Sequence, residues 1–88
     1  MGIAKFQSDI SPFWKKRGDC CTFIKVVDIL LDDGIAVDLK VSWCTQLNNG
    51  WREYSQGTMR IREKEFQDWS IYFPRGEMVN EIRQDKIS

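Results

Sequence analysis

Residues 35–44 alternate without a break. Ile35, Val37, Leu39, Val41 and Trp43 fall on one parity, and Ala36, Asp38, Lys40, Ser42 and Cys44 fall on the other. A period of two over ten residues is the pattern of a β-strand with one buried and one wet face. Both ends of this strand carry hairpin signals: Asp32-Asp33-Gly34 precedes it and Leu47-Asn48-Asn49-Gly50 follows it. Asp-Gly and Asn-Gly pairs suit tight hairpin loops because those loops need positive φ, at both central positions in the Asn-Gly case. The chain is thereby committed to an antiparallel meander around residues 35–44.

The flanks extend that meander. Cys20–Leu31 is rich in β-branched and aromatic residues, which predicts a strand. Its apolar residues occupy both parities, with Phe23, Val27, Ile29 and Leu31 on one and Ile24, Val26 and Leu30 on the other. Such a strand is either bent by a bulge or buried on both faces for part of its length. Trp51–Tyr54 begins a third strand, Gly57 interrupts it as a bulge or turn, and Thr58–Arg62 continues with Met59 and Ile61 inward. The period then changes. Glu63–Trp69 suits a short helix with Phe66 and Trp69 on one face and an acidic first turn. Ser70–Phe73 reads as a last strand or extended exit, closed by Pro74-Arg75-Gly76. Glu77–Ile87 carries Met78, Val79 and Ile82 at helical spacing and reads as a terminal helix or tail. Ahead of the meander, Ser11-Pro12 can open a helical turn and Arg17-Gly18-Asp19 a turn into the first long strand.

Size places all of this in one domain. The chain has 88 residues, 42% hydrophobic and 12% aromatic, too apolar for intrinsic disorder. Surface scaling predicts that roughly two thirds of the unfolded surface is buried on folding, enough for one modest core. We read residues 1–18 as an N-terminal arm, 19–73 as a β-rich body with a short helix, and 74–88 as a C-terminal tail or helix. Thirteen basic and thirteen acidic side chains cancel, which argues against bulk electrostatic binding to nucleic acid and against acidic mimicry of DNA. No run approaches the ~20 apolar residues of a membrane-spanning helix. The N-terminus lacks the basic start and apolar block of a signal peptide, so a cytoplasmic location without membrane contact is expected.

The stretch Lys15-Lys16-Arg17-Gly18-Asp19, the long strand, the Asp-Asp-Gly hairpin, the alternating strand and then Thr58–Phe66 (TMRIREKEF) resemble the short SH3-like barrel proteins of phages and prophages, over about residues 17–70. Phe66 sits where those proteins place a Phe in a charged helical segment. The fold expected is mainly β, α+β by content: a small antiparallel SH3-like barrel or curled sheet with one short helix after the last main strand. A sheet with a helix packed on one face is the runner-up. The resemblance implies an accessory protein of a mobile element.

Enzyme chemistry finds little support. There is no His, the usual base near neutral pH, and no nucleophile elbow, phosphate-cradling loop or zinc motif. Asp32-Asp33 belongs to a turn, and Glu63 with Glu65 to a helix start. Cys20, Cys21 and Cys44 make an odd count. In a strand, adjacent Cys20 and Cys21 would point to opposite faces and share no partner. We expect reduced thiols, no metal and no cofactor.

The excess lies in large rings. Trp43, Phe66 and Trp69 are expected in the core, and Trp14, Trp51, Tyr72 and Phe73 at a rim. Rim aromatics with Arg form interface hot spots, unless the terminal segments fold over the body and hide them. The expected function is a non-enzymatic protein-binding module that docks on and inhibits or regulates a host protein, one of a defence system for instance, or a viral one. Its expected contacts are Trp14, Trp51, Arg52, Tyr54, Tyr72 and Phe73. Lys15, Lys16, Arg17, Arg52, Arg60 and Arg62 with Trp14, Trp51 and Tyr54 define the alternative, a small barrel that stacks single-stranded nucleic acid. A virion or self-assembling protein, or a homodimer paired through open strand edges, is the further alternative.

Overall fold

The computed structural model describes residues 6–79. Six strands form one sheet: β1 (Phe13–Lys16), β2 (Thr22–Asp32), β3 (Ala36–Gln46), β4 (Gly50–Arg62), β5 (Trp69–Ile71) and β6 (Glu77–Met78). Their spatial order is β5-β1-β2-β3-β4-β6. Neighbours are antiparallel, except that β6 runs parallel to β4. Among the described residues no strand pairing joins β5 to β6 to close the sheet, so the curled sheet, rather than a closed barrel, describes it. The expected helix is a 3-10 helix, η1 (Glu63–Asp68), between β4 and β5. Its first turn is tied by the Arg62 backbone N–H, which donates to Glu65 Oε1 at 2.9 Å.

Both hairpins form, with different turn chemistry. Gly34 has φ 87° at the first central position of the β2–β3 turn, as a Gly-first hairpin loop requires. Asp33 Oδ1 accepts the N–H groups of Ile35 and Ala36, each at 2.9 Å. Ile35 therefore sits in the turn and is exposed, instead of continuing the inward parity of β3. In the β3–β4 turn, Leu47 N–H donates to Gly50 O at 2.6 Å, making Asn48 and Asn49 the central pair. Among the described residues no non-glycine has positive φ, so the expected Asn49-Gly50 turn is not the one formed. Gly50 instead opens β4, where a Cβ would fall on the carbonyl oxygen of Glu77 in β6.

The long strands are bent at identifiable residues. The β2–β3 register skips Val27 and then Leu30, two bulges of the kind the two-sided apolar pattern implies. The β3–β4 register skips Tyr54. β4 is otherwise continuous through Gly57, over which the Trp43 ring lies, so the bulge expected at Gly57 is at Tyr54.

Apolar packing occupies both faces. The main core lies on the inner face: Ile24, Val37, Leu39, Val41 and Ile61, closed by Phe6, Trp14 and Trp69, with Trp43, Met59 and Phe66 at its margin. Phe6 stacks against Trp14 and Phe66 at centroid distances of 5.0 and 5.5 Å. The second cluster uses the opposite parity, with Phe23, Cys44 and Trp51 packed against Phe13 and Tyr72. Ser42 and Cys44, expected on the wet face, are thus buried.

A strap covers this second cluster. After β5 at one edge of the sheet, residues 72–76 cross the outer face and become β6 at the other edge. Tyr72 packs on Phe23 at 4.7 Å between centroids. Buried Gln46 bolts the strap down. Its Oε1 accepts from Tyr72 Oη at 2.6 Å and from Arg75 N–H at 2.9 Å, and its Nε2 lies 3.0 Å from Arg75 O and 2.7 Å from Gly50 O. Glu77–Met78 is strand where a helical tail was expected. The remainder of that segment, with residues 80–88, lies outside the described residues, as do residues 1–5 of the arm.

Candidate functional site

The six residues expected to bind a partner are scattered by this architecture. Trp14 belongs to the main core and Trp51 to the second, 3% and 9% exposed. Neither stands at a rim, because the terminal segments fold over the sheet: Phe6 covers Trp14, and the strap covers the cluster around Trp51. Tyr72 is half-buried in the same cluster, and its hydroxyl is spent on Gln46. Arg52 is partly exposed. Only Tyr54 and Phe73 stand well out, at 49% and 62%. Tyr54 is the bulged residue of β4 and Phe73 lies on the strap.

The basic-aromatic surface of the nucleic-acid reading loses both tryptophans in the same way and keeps Tyr54 exposed. Trp14 and Trp51 are not available to stack bases. Arg60 and Arg62 do share the outer face, but Arg60 donates to Asp38 at 2.9 Å and to Asp33 at 2.6 Å. Arg17 lies 3.5 Å from Asp68.

Ile10 and Met78 are exposed singly on other segments, but four further exposed aliphatics fall close together in the chain. Val27, Leu30, Leu31 and Ile35 are each half exposed or more, on the second half of β2 and the turn that follows. Bulging produces this. Val27 and Leu30 are the two residues that the register skips, and each shift sends a side chain out of the alternation. Leu31 opposes Asp38 on the outer face. Ile35 borders an open groove of about 590 Å³ with Arg60, Arg62 and Lys64. Charged side chains border this apolar surface: Asp28 lines a groove with Val27, Asp38 and Arg60 line one with Leu30, and Arg60, Arg62, Glu63 and Lys64 line the one with Ile35.

This part of β2 also has a strand neighbour on one side only. β1 pairs with β2 at Lys25 and Ile24, and Val26 N–H donates to Pro12 O at 2.8 Å. Past Val26, among the described residues, the only strand paired with β2 is β3. Two features blunt that open edge against strand addition. The bulges break its regular spacing, and Asp28 Oδ1 takes the N–H of Ile29 at 2.8 Å. Bulges and charges are how natural sheets protect their edges. The surface offers side chains, not a backbone ladder.

Sequence reasoning missed this ridge because an apolar strand residue is read as a core residue. The available signal was the doubled parity of β2: one sheet face cannot bury both sets along its whole length.

The titratable groups have structural work. Backbone N–H groups of Ala36 and Ile35, then the Arg60 guanidinium, hold Asp33 down at about 2. Burial pushes the Cys44 thiol up to about 12. Cys20 is raised by its hydrogen bond to Cys21, which makes it a weak nucleophile at neutral pH. No group of three or more Cys, Asp or Glu that could hold a metal ion occurs among the described residues. No helix there is long and apolar enough to cross a membrane. Comparison of the chain with protein-family models, with curated proteins and with solved structures gives no match.

Proposed function

We propose that the protein is a non-enzymatic protein-binding module that docks through the outer end of the β2–β3 hairpin. The observation that carries this reading is the ridge of Val27, Leu30, Leu31 and Ile35, four large aliphatics exposed beside a fully built core. Clustered exposed aliphatics cost solubility and are kept where they meet a partner. The charges flanking the ridge supply the polar rim that encloses an interface centre. The occupant is another protein with a complementary apolar surface. The resemblance to phage and prophage accessory proteins is what supports reading that protein as a host or viral one blocked or regulated by the contact, one of a defence system for instance.

The surface differs from the aromatic one read from the sequence, and the two are separable. Capture of a partner from bacterial lysate, with and without nuclease, supplies the ligand. Its affinity is then measured for Leu31→Glu and Ile35→Lys beside Tyr54→Ala and Phe73→Ala. Ridge substitutions should each weaken binding by ~2 kcal/mol or more, about thirtyfold, with the melting temperature unchanged. Loss confined to Tyr54→Ala and Phe73→Ala moves the site to the strap end. Capture that disappears with nuclease replaces this reading with nucleic-acid binding. Concentration-dependent self-association lost in Leu31→Glu replaces it with self-assembly.

A further inference from the structure

The two adjacent thiols do share a site. Cys20 and Cys21 lie in the bend before β2, both exposed, with their sulfurs 3.2 Å apart. They are not in the strand, so the alternation that would separate them does not apply. The bend is pinned on both sides. Asp19 N–H donates to Lys16 O at 3.1 Å on one side, and on the other Cys21 O accepts Gln46 N–H at 2.9 Å, just ahead of the Thr22–Thr45 pair.

Geometry sorts what such a pair can hold. A disulfide needs sulfurs about 2.05 Å apart on residues whose Cα atoms are at least ~4.4 Å apart, whereas adjacent Cα atoms are held at about 3.8 Å. Closing the pair would strain the bend. Zinc wants four ligands, and the described residues bring no third. A linear two-coordinate ion needs its sulfurs on opposite sides, farther apart than these. A pyramidal trivalent centre bonded to both sulfurs on one side fits the short separation.

We propose that Cys20 and Cys21 form a dithiol chelate for trivalent thiophiles of the organoarsenic(III) class. Two arsenic–sulfur bonds form. The two thiol protons leave with the arsenic-bound oxygen as one water molecule, and no atom changes oxidation state. The site is independent of the docking ridge, on a different segment of the chain.

The test uses phenylarsine oxide with the full reduced chain, read by intact mass. One adduct per chain, short of one water, is expected. Stripping it with a small dithiol competitor should take about a hundredfold more competitor than for Cys20→Ser or Cys21→Ser, because the second thiol closes intramolecularly. Cys44→Ser should hold the probe as the wild type does. Equal retention by either single serine variant overturns the proposal, as does loss of the adduct in Cys44→Ser or an adduct bridging two chains. The folded chain should also resist the competitor better than the same chain in denaturant; equal resistance means that the bend contributes nothing and the site is not built.

Discussion

Replacing Gln46 by leucine removes the amide that receives Tyr72 Oη and Arg75 N–H and that faces the Arg75 and Gly50 carbonyls. Shape is nearly kept, but several polar groups of the strap lose their partner at a half-buried site. Unsatisfied groups of this kind cost about 1–3 kcal/mol each, so we expect a loss of ~3 kcal/mol in chemical denaturation. Gln46→Glu should not rescue it, because a carboxylate facing carbonyls has no proton to give. Gln46 was not legible in the sequence. It reads as the polar end of an alternating strand, and its partners lie up to 29 residues away. Asp33 was legible as a turn residue; its ion pair was not. Its folded pKa, about 2, lies below its ordinary value of 3.8. The stabilisation it supplies is therefore complete above pH 4 and is lost as the pH falls from about 4 towards 2. Melting temperatures across that window should fall less steeply in Asp33→Asn than in the wild type.

At the scale of elements, the meander follows directly from alternation and turn residues, and β2, β3 and β4 stand within two residues of where the pattern places them. What alternation does not encode is where it breaks. Val27, Leu30 and Tyr54 fall at the register shifts, and nothing in their side-chain types marks those positions, among the other apolar and aromatic strand residues, as the ones to bulge. β6 is the extreme case. Two residues form a parallel strand only because Gly50 leaves room for them, and Met78, Val79 and Ile82 at helical spacing point the other way. Gly50→Ala tests this. The added Cβ meets the Glu77 carbonyl, so β6 must detach or β4 must shift. Either should cost about 2 kcal/mol and raise the exchange rate of the Val79 amide, which donates to Trp51 O at 2.7 Å. An unchanged Val79 rate would mean that β6 is not held by that close approach.

As a whole, the molecule is one sheet with two apolar faces of unequal depth. The inner core draws on β1 to β5 and the 3-10 helix, whereas the outer cluster is a handful of rings held under a strap by one glutamine. Large rings were evident in the sequence, but not their division: neighbours such as Phe13 and Trp14, or Phe23 and Ile24, take opposite faces and so enter different cores. Burial on both faces is what hides Trp14 and Trp51, which the sequence alone places at a rim. The inequality predicts an order of opening. Protection against exchange scales with the number of contacts that must break, and the strap can lift while the inner core persists. In native-state hydrogen exchange, the Tyr72, Arg75 and Val79 amides should exchange through a partial opening with weak denaturant dependence. The Val37, Leu39 and Val41 amides should exchange only with global unfolding. Gln46→Leu should then speed the first group more than global destabilisation alone accounts for. If both groups instead share one opening free energy in both proteins, strap and core form a single cooperative unit. The outer cluster would then be as integral to the fold as the inner one.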